Sequence, residues 1–252
     1  MPDALSFYLF AIPAVLLIGL AKGGFSGLGA LGTPLMAIGM SDPVAAAAVL
    51  LPILIAQDVV GVAAFRKSWD GGVLRAMIPG AVAGIVLGYL LAAVISAKAV
   101  MAVLGLITIV FGAYRLRAER GGRIEAASTS SAWIGSLFGI ATGFTSQIAH
   151  AGGPPFQMWV MPRRLPRDVF VGTSAIFFAV INWIKVPAYV ALGQFTWENG
   201  IATLILLPFA VLASVAGVWL VKRVPGERFY TIVYWLMIVA GGKLVLDGVG
   251  IA

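Results

Sequence analysis

The chain consists mainly of long apolar runs separated by short polar or glycine-rich stretches. A helix of about 20 apolar residues spans the hydrocarbon core of a bilayer, and each of the long runs reaches about that length. Each run also ends at turn residues or charges, where a membrane helix is expected to stop. The pattern therefore predicts an all-α, polytopic integral membrane protein with spans at 44–65, 73–95, 98–115, 169–192, 200–221 and 229–246.

Two further apolar regions, 5–40 and 131–161, are interrupted near their centres by glycine, proline and polar residues. The interruptions lie at 22–34 and 145–155, and they predict helices that break inside the membrane. Irregular backbone at that depth is tolerated only where protein buries it or water reaches it, so two matching breaks predict a shared cavity. The alternative is that the small residues only allow helices to pack closely.

The same order of elements occurs twice in the chain: a broken segment followed by three spans. We predict one membrane domain, residues 1–252, in which repeat one covers 5–117 and repeat two covers 131–250. The polar stretch between them, 118–130, is predicted to be a cytoplasmic linker.

The basic residues indicate how the two halves are related. Thirteen of the 17 Lys and Arg residues lie in four clusters, at 66–75, 115–123, 163–167 and 222–228. Cytoplasmic loops carry an excess of Lys and Arg, so all four clusters are expected on one side. Each broken segment must then re-enter and leave on the side it came from, and the three crossings that follow turn the second half upside down. The sequence thus predicts two inverted-topology repeats, an architecture of many secondary transporters.

Composition excludes several other classes of protein. Hydrophobic residues make up 61% of the chain and charged residues only 11%, whereas a soluble domain has roughly 25% charged residues. The net charge of +7 does not indicate nucleic-acid binding, because no aqueous domain remains to carry a basic face. There are no cysteines, and the glycine pattern at 27–32 lacks the strand that a dinucleotide site needs, so no metal or cofactor is expected. The N-terminus lacks the positive region of a cleaved signal peptide, so the first apolar run is expected to be retained.

The residues at the two breaks are candidates for binding an anion. Thr33 and Gly153 each begin a predicted helix whose free amides direct positive partial charge at the cavity, and Lys22 adds a full charge. The intrinsic pKa of a histidine side chain is about 6.5, so His150 is a candidate for proton coupling or anion binding, with a structural role as the alternative. The other candidates at the breaks are Gly24, Phe25, Ser26, Thr145, Ser146 and Gln147.

Four polar residues lie in the middle of apolar spans, where ionisable groups are costly and usually face a pathway or a partner. Gln57 falls near Asn182 when the halves are aligned, and both are candidates for hydrogen bonding to a substrate or, alternatively, between helices. Asp58 and Lys185 are candidates for charge coupling, or they neutralise each other or another charge.

The chain resembles the TauE/SafE family of anion transporters, often described as sulfite or organosulfonate exporters, over nearly its whole length. The resemblance is carried by the motifs at 19–25, 69–70, 171–174 and 197–198. A Gly-Thr-Ser pattern opens the second element of repeat two, whereas the equivalent of repeat one is degraded at 47–49. The resemblance therefore implies a substrate-binding role for Thr173 and Ser174 alone.

The resemblance implies a secondary transporter and not an enzyme. The expected substrate is a small sulfur-containing anion, sulfite or a C2 organosulfonate such as sulfoacetate, exported by alternating access across the bacterial cytoplasmic (inner) membrane. The expected partners are this anion and the lipid bilayer, with a homodimer left open. The alternatives are an intramembrane serine hydrolase that uses Ser26 and His150, and an uptake permease for another small anion or a metal cation.

Overall fold

The structure is a computed structural model, and its regular elements are all helical within the described residues. The described residues are 4–24, 29, 32, 35–36, 40, 43–91, 94, 96–120, 129–191, 193 and 195–250. The helices are α1 (Ala4–Lys22), α2 (Pro43–Phe65), α3 (Gly71–Leu91), α4 (Ala97–Arg120), α5 (Ala132–Ala149), α6 (Gly153–Val160), α7 (Arg167–Ala191), α8 (Trp197–Val221) and α9 (Gly226–Val249). Three predicted site residues lie outside the described residues, namely Phe25, Ser26 and Thr33.

Six of these helices are long and apolar enough to cross a membrane. They are α2, α3, α4, α7, α8 and α9, and they coincide with the six predicted spans. The prediction of an all-α, polytopic membrane protein is therefore confirmed.

The second broken segment is a hairpin of two helices. Helix α5 ends at Ala149, and α6 begins at Gly153 with Pro154 in its first turn, a position where proline costs no helical hydrogen bond. A short 3-10 turn, Met161–Arg163, follows α6. The Arg163 guanidinium donates a hydrogen bond of 2.6 Å to the carbonyl oxygen of Ser130, just before α5. The hairpin therefore ends beside the point at which it began.

The closest helix pairs each join one helix of the first half of the chain to one of the second. These pairs are α3 with α5, α4 with α9, α1 with α8 and α2 with α7. Glycines make the approach close: a Cβ on Gly84 would lie 2.1 Å from the carbonyl oxygen of Ile140, and one on Gly143 would lie 2.0 Å from that of Ala81. Small residues thus allow backbone contact between α3 and α5, as is common in membranes.

The described residues of the four basic clusters lie at one end of the bundle. The Lys222 ammonium lies 5.4 Å from the centre of the Phe65 ring, which brings the ends of α8 and α2 together. Arg167 donates a hydrogen bond of 2.5 Å to the carbonyl oxygen of Val224, and Arg115 donates one of 3.3 Å to the hydroxyl of Tyr234. The charged ends of α2, α4, α6 and α8 therefore share one face.

Candidate functional site

A cavity of about 80 Å³ lies inside the bundle, between helices of both halves. A water molecule needs roughly 10–15 Å³ measured in this way, so the cavity has room for several waters or one small anion. Seven of the residues predicted from the sequence line it: Lys22, Ser146, His150, Gly153, Ser174, Asn182 and Lys185. The structure thus brings the end of α1, the break between α5 and α6, and the middle of α7 to one place.

An ion pair between two helices of the first half lies beside the cavity, and its lysine, Lys22, lines the cavity. The Lys22 ammonium at the end of α1 lies 2.5 Å from one carboxylate oxygen of Asp58 on α2. The other Asp58 oxygen accepts a hydrogen bond of 2.6 Å from the side-chain amide of Asn182 on α7. The ammonium also lies 5.0 Å from the centre of the Phe178 ring, within the range of a cation–π interaction. Asp58 therefore neutralises Lys22 and not Lys185.

Lys185 is a second lysine in the wall, and its side chain is fully buried. Its ammonium contacts the hydroxyl of Ser146 at 3.1 Å, the carbonyl oxygen of Ser146 at 3.4 Å and the Nδ1 atom of His150 at 3.0 Å. All three are neutral acceptors. Within the part of the chain that the structure describes, no carboxylate pairs with Lys185.

The contacts of His150 define its neutral tautomer. An ammonium group can only donate, so Nδ1 accepts from Lys185 and the ring proton lies on Nε2. Nε2 then donates to the carbonyl oxygen of Ala47 at 3.2 Å, and it also lies 3.3 Å from the Tyr189 hydroxyl. His150 itself has φ 50°, and its backbone N–H caps α5 through the carbonyl oxygen of Ser146. The break in the helix thus places the ring between α2 and α7.

One face of α7 supplies much of the cavity wall. Ser174, Phe178, Asn182 and Lys185 are spaced by three or four residues, so they lie on one side of the helix. Helical periodicity therefore explains why residues that the sequence analysis singled out for different reasons meet at the same site.

Gln57, Gly24 and Thr173 are predicted site residues that do not line the cavity. Gln57 donates hydrogen bonds to backbone carbonyls on α1 and α8, at 3.2 and 3.3 Å, and thus joins three helices. Gly24 has φ 141° and packs against Val221. The Thr173 hydroxyl donates to the carbonyl of Val169 at 2.6 Å and accepts from the backbone N–H of Asp70 at 2.8 Å, which ties α7 to the start of α3.

Two further predicted residues, Thr145 and Gln147, also lie outside the wall. The hydroxyl of Thr145 donates back to the carbonyl oxygen of Ala141 at 2.7 Å, along its own helix. The side chain of Gln147 lies against Gly88 of α3, where a Cβ would approach it within 3.0 Å. Thr145 therefore bonds within α5, and Gln147 packs between α5 and α3.

Two polar residues of the wall, Thr108 on α4 and Gln157 on α6, were not predicted from the sequence. The Thr108 hydroxyl donates to the carbonyl oxygen of Leu104 at 2.6 Å. Gln157 is 1% exposed, and neither atom of its side-chain amide has a hydrogen-bond partner among the described residues. The sequence did contain a signal for Gln157, because it is a lone amide residue within the short apolar stretch that follows the second break.

The start of α6 offers fewer amides than the pattern of the break predicted. Pro154 and Pro155 have no N–H group, so Gly153 is the one residue of the first three in α6 that carries an amide hydrogen. The positive charge at the cavity therefore comes mainly from lysine side chains.

The described wall of the cavity contains two lysines and no carboxylate. Asp58 lies behind Lys22 and Asn182, and the described residues include no group of three His, Asp or Glu side chains with the spacing of a metal site. With both lysines protonated and Asp58 ionised, the site carries one net positive charge. Its chemistry suits an anion with oxygen acceptors.

A bundle of membrane-spanning helices that encloses a polar cavity beside a broken helix is the architecture of a membrane transporter. The family model described as "Sulfite exporter TauE/SafE" matches residues 11–244, nearly the whole chain, and the chain belongs to this family. The match confirms the resemblance seen in the sequence and makes the protein a multi-pass membrane transporter of the anion or sulfite exporter type. No curated protein and no solved structure is similar enough to the chain to count as a match.

Proposed function

We propose that the protein is a secondary transporter, without enzymatic activity, that exports a small sulfur-containing anion across the bacterial cytoplasmic membrane. Sulfite and C2 organosulfonates such as sulfoacetate are the substrates that we propose. The family match supports the transport of an anion, and the collection of the basic clusters on one face supports a cytoplasmic orientation of that face.

The observation that carries the proposal is the environment of Lys185. Its side chain is fully buried, yet its direct partners are the neutral groups of Ser146 and His150. Removing an ion from water costs several kcal/mol, and a buried charge is normally paired. An anion bound in the cavity would supply the missing negative charge beside Lys185.

Lys22, on α1, supports the same site. It already contacts the Asp58 carboxylate, which is itself an anion with two oxygen acceptors. A sulfonate or sulfite group presents similar acceptors, so the bound substrate competes with Asp58 for the ammonium. Ser174 and Asn182 on α7 add hydrogen-bond donors to the same wall. We therefore propose that Lys22 exchanges its contact with Asp58 for a contact with the substrate.

The pairing of helices supports alternating access by two inverted repeats. The first helix of each half packs against the second membrane-spanning helix of the other half, as α1 with α8 and α5 with α3. The pairs α2 with α7 and α4 with α9 join equivalent elements. A two-fold axis relating the halves would produce this pattern, because it would convert the pair α1 with α8 into the pair α5 with α3. Since both halves line the cavity, a rocking motion between them would change access to it.

A Lys185→Met variant tests the proposal, because methionine keeps much of the volume and removes the charge. A ligand that binds only the folded state stabilises it by about 2.7 kcal/mol at 100 times its dissociation constant. We expect sulfite to raise the melting temperature of the purified wild-type protein and to have little effect on the variant. The variant without ligand should be at least as stable as the wild type, since it no longer buries an unpaired charge.

Lys243→Met is the matched control. Lys243 forms an ion pair with Asp247 one turn away on α9, and it does not line the cavity. The control should therefore retain the sulfite-induced rise. An equal rise in wild type and Lys185→Met would overturn the assignment of this site.

A further inference from the structure

Gln157 lies in the cavity wall with an amide that the protein does not satisfy. Its side chain is 1% exposed, and neither Nε2 nor Oε1 has a hydrogen-bond partner among the described residues. The great majority of buried polar side-chain atoms in proteins do have a partner, so a side chain with two unpaired atoms calls for an explanation. Gln157 lines the cavity, so a molecule bound there is the partner that would explain the unpaired amide.

The position of Gln157 is held by its neighbours on α6. Its backbone carbonyl accepts a hydrogen bond from the N–H of Met161 at the end of the helix. Phe156, on one side in sequence, is fully buried and its ring centre lies 5.0 Å from that of Phe177 on α7. Trp159, two residues later, is 4% exposed. A packed helix therefore holds Gln157 in the cavity wall.

The amide differs in chemistry from the other polar groups of the wall. The ammonium groups of Lys22 and Lys185 are donors only, and the oxygens of a fully deprotonated sulfonate are acceptors only. Such a group would satisfy both lysines and Gln157 Nε2, but it would leave Gln157 Oε1 buried without a donor. A ligand that carries an O–H or N–H group in addition to its anionic oxygens would satisfy both atoms of the amide.

We propose that Gln157 determines substrate specificity by selecting a small monoanion that carries a hydrogen-bond donor, such as a hydroxylated sulfonate or a protonated sulfur oxyanion. This inference rests on the proposed function, because it assumes that the cavity binds the transported anion. Among the substrates proposed above it selects hydrogen sulfite over sulfoacetate, whose two anionic groups carry no hydrogen-bond donor. With both lysines protonated and Asp58 ionised, the one net positive charge of the site matches one negative charge on the ligand. Gln157 thus selects for the neutral part of the substrate, and the lysines for its charge.

Two ligands of equal charge test the inference: 2-hydroxyethanesulfonate and propane-1-sulfonate, in which a methyl group replaces the hydroxyl. A buried polar group left unsatisfied weakens binding, so we expect the wild-type protein to bind the hydroxylated ligand about tenfold more tightly. In Gln157→Leu, which has neither donor nor acceptor, the two affinities should agree within about twofold. Titration calorimetry of the purified protein measures all four affinities.

Met158→Leu is a control on the same helix, since Met158 does not line the cavity and the exchange conserves volume. It should retain the tenfold preference. A second variant, Gln157→Met, repeats the test with an unbranched side chain, and the melting temperature of each variant shows that it is folded. Equal affinity of the wild type for both ligands would overturn this inference and leave anion transport intact. If the wild type binds neither ligand and does not bind sulfite, the proposed function itself is overturned.

Discussion

The ammonium of Lys22 lies 2.5 Å from the carboxylate of Asp58, although the two residues are 36 positions apart. Asp58 is 2% exposed, and its second oxygen accepts a hydrogen bond from Asn182 in the other half of the chain. This ion pair therefore joins α1, α2 and α7 at the cavity. Removing one partner of a buried pair leaves the other charge uncompensated, which is more costly than replacing both.

We predict that Asp58→Asn lowers the stability of the protein without ligand by about 3 kcal/mol, because the Lys22 ammonium loses its counter-charge. The same change frees Lys22 for the substrate, so sulfite should raise the melting temperature of the variant more than that of the wild type. Thermal unfolding of both proteins with and without sulfite measures the two effects.

Two further variants control the Asp58 experiment. Asp247→Asn removes the carboxylate of an ion pair on α9 outside the cavity wall, and it should not alter the response to sulfite. Lys22→Met combined with Asp58→Asn removes both charges, and it should recover much of the lost stability but bind sulfite weakly. A sulfite response of Asp58→Asn equal to that of the wild type would show that Asp58 and the anion do not compete.

The neighbours Thr173 and Ser174 are predicted to differ in function. The Thr173 hydroxyl forms hydrogen bonds with two backbone groups and does not line the cavity. Thr173→Val should therefore lower the stability by about 1 kcal/mol and change the affinity for sulfite little. Ser174 lines the cavity, so Ser174→Ala should weaken sulfite binding with little effect on stability. Melting temperatures and titration calorimetry separate the two effects. Weaker binding in Thr173→Val at unchanged stability would instead support the role that the family resemblance implies for Thr173.

The orientation in the membrane can be tested by labelling, because the chain contains no cysteine. Ser131 precedes α5 at the basic face, Ser96 precedes α4 at the opposite end, and both are exposed. We expect an impermeant maleimide to label Ser96→Cys in intact cells and to label Ser131→Cys only after the membrane is opened. Labelling of Ser131→Cys from outside would contradict the predicted cytoplasmic face.

Features that depend on a few neighbouring residues were predictable from the sequence. The six spans follow from the length of the apolar runs, and the break at His150 follows from the glycines and prolines that interrupt the run around it. The common face of the four basic clusters follows from their spacing between spans that alternate in direction. In each case the cause is local: the bilayer sets the helix length, and glycine and proline alter the backbone where they stand.

The roles of the individual polar side chains depended on their partners. The sequence placed Gln57, Asp58, Asn182 and Lys185 in the middle of spans, and left open whether each faces a substrate or another helix. The structure pairs Asp58 with Lys22 and uses Gln57 to join helices. Rotation of a helix by less than half a turn would reverse such outcomes, and the rotation is set by packing against other helices.

By itself the sequence determined that this protein crosses a membrane repeatedly, breaks a helix within it and belongs among anion transporters. Only the tertiary structure decided that the buried Lys185 has no carboxylate partner among the described residues, and that Gln157 lines the same cavity. The physical reason is that hydrophobicity and backbone conformation are properties of short segments. The pairing of a buried charge or amide depends on atoms that meet only when helices from distant parts of the chain pack together.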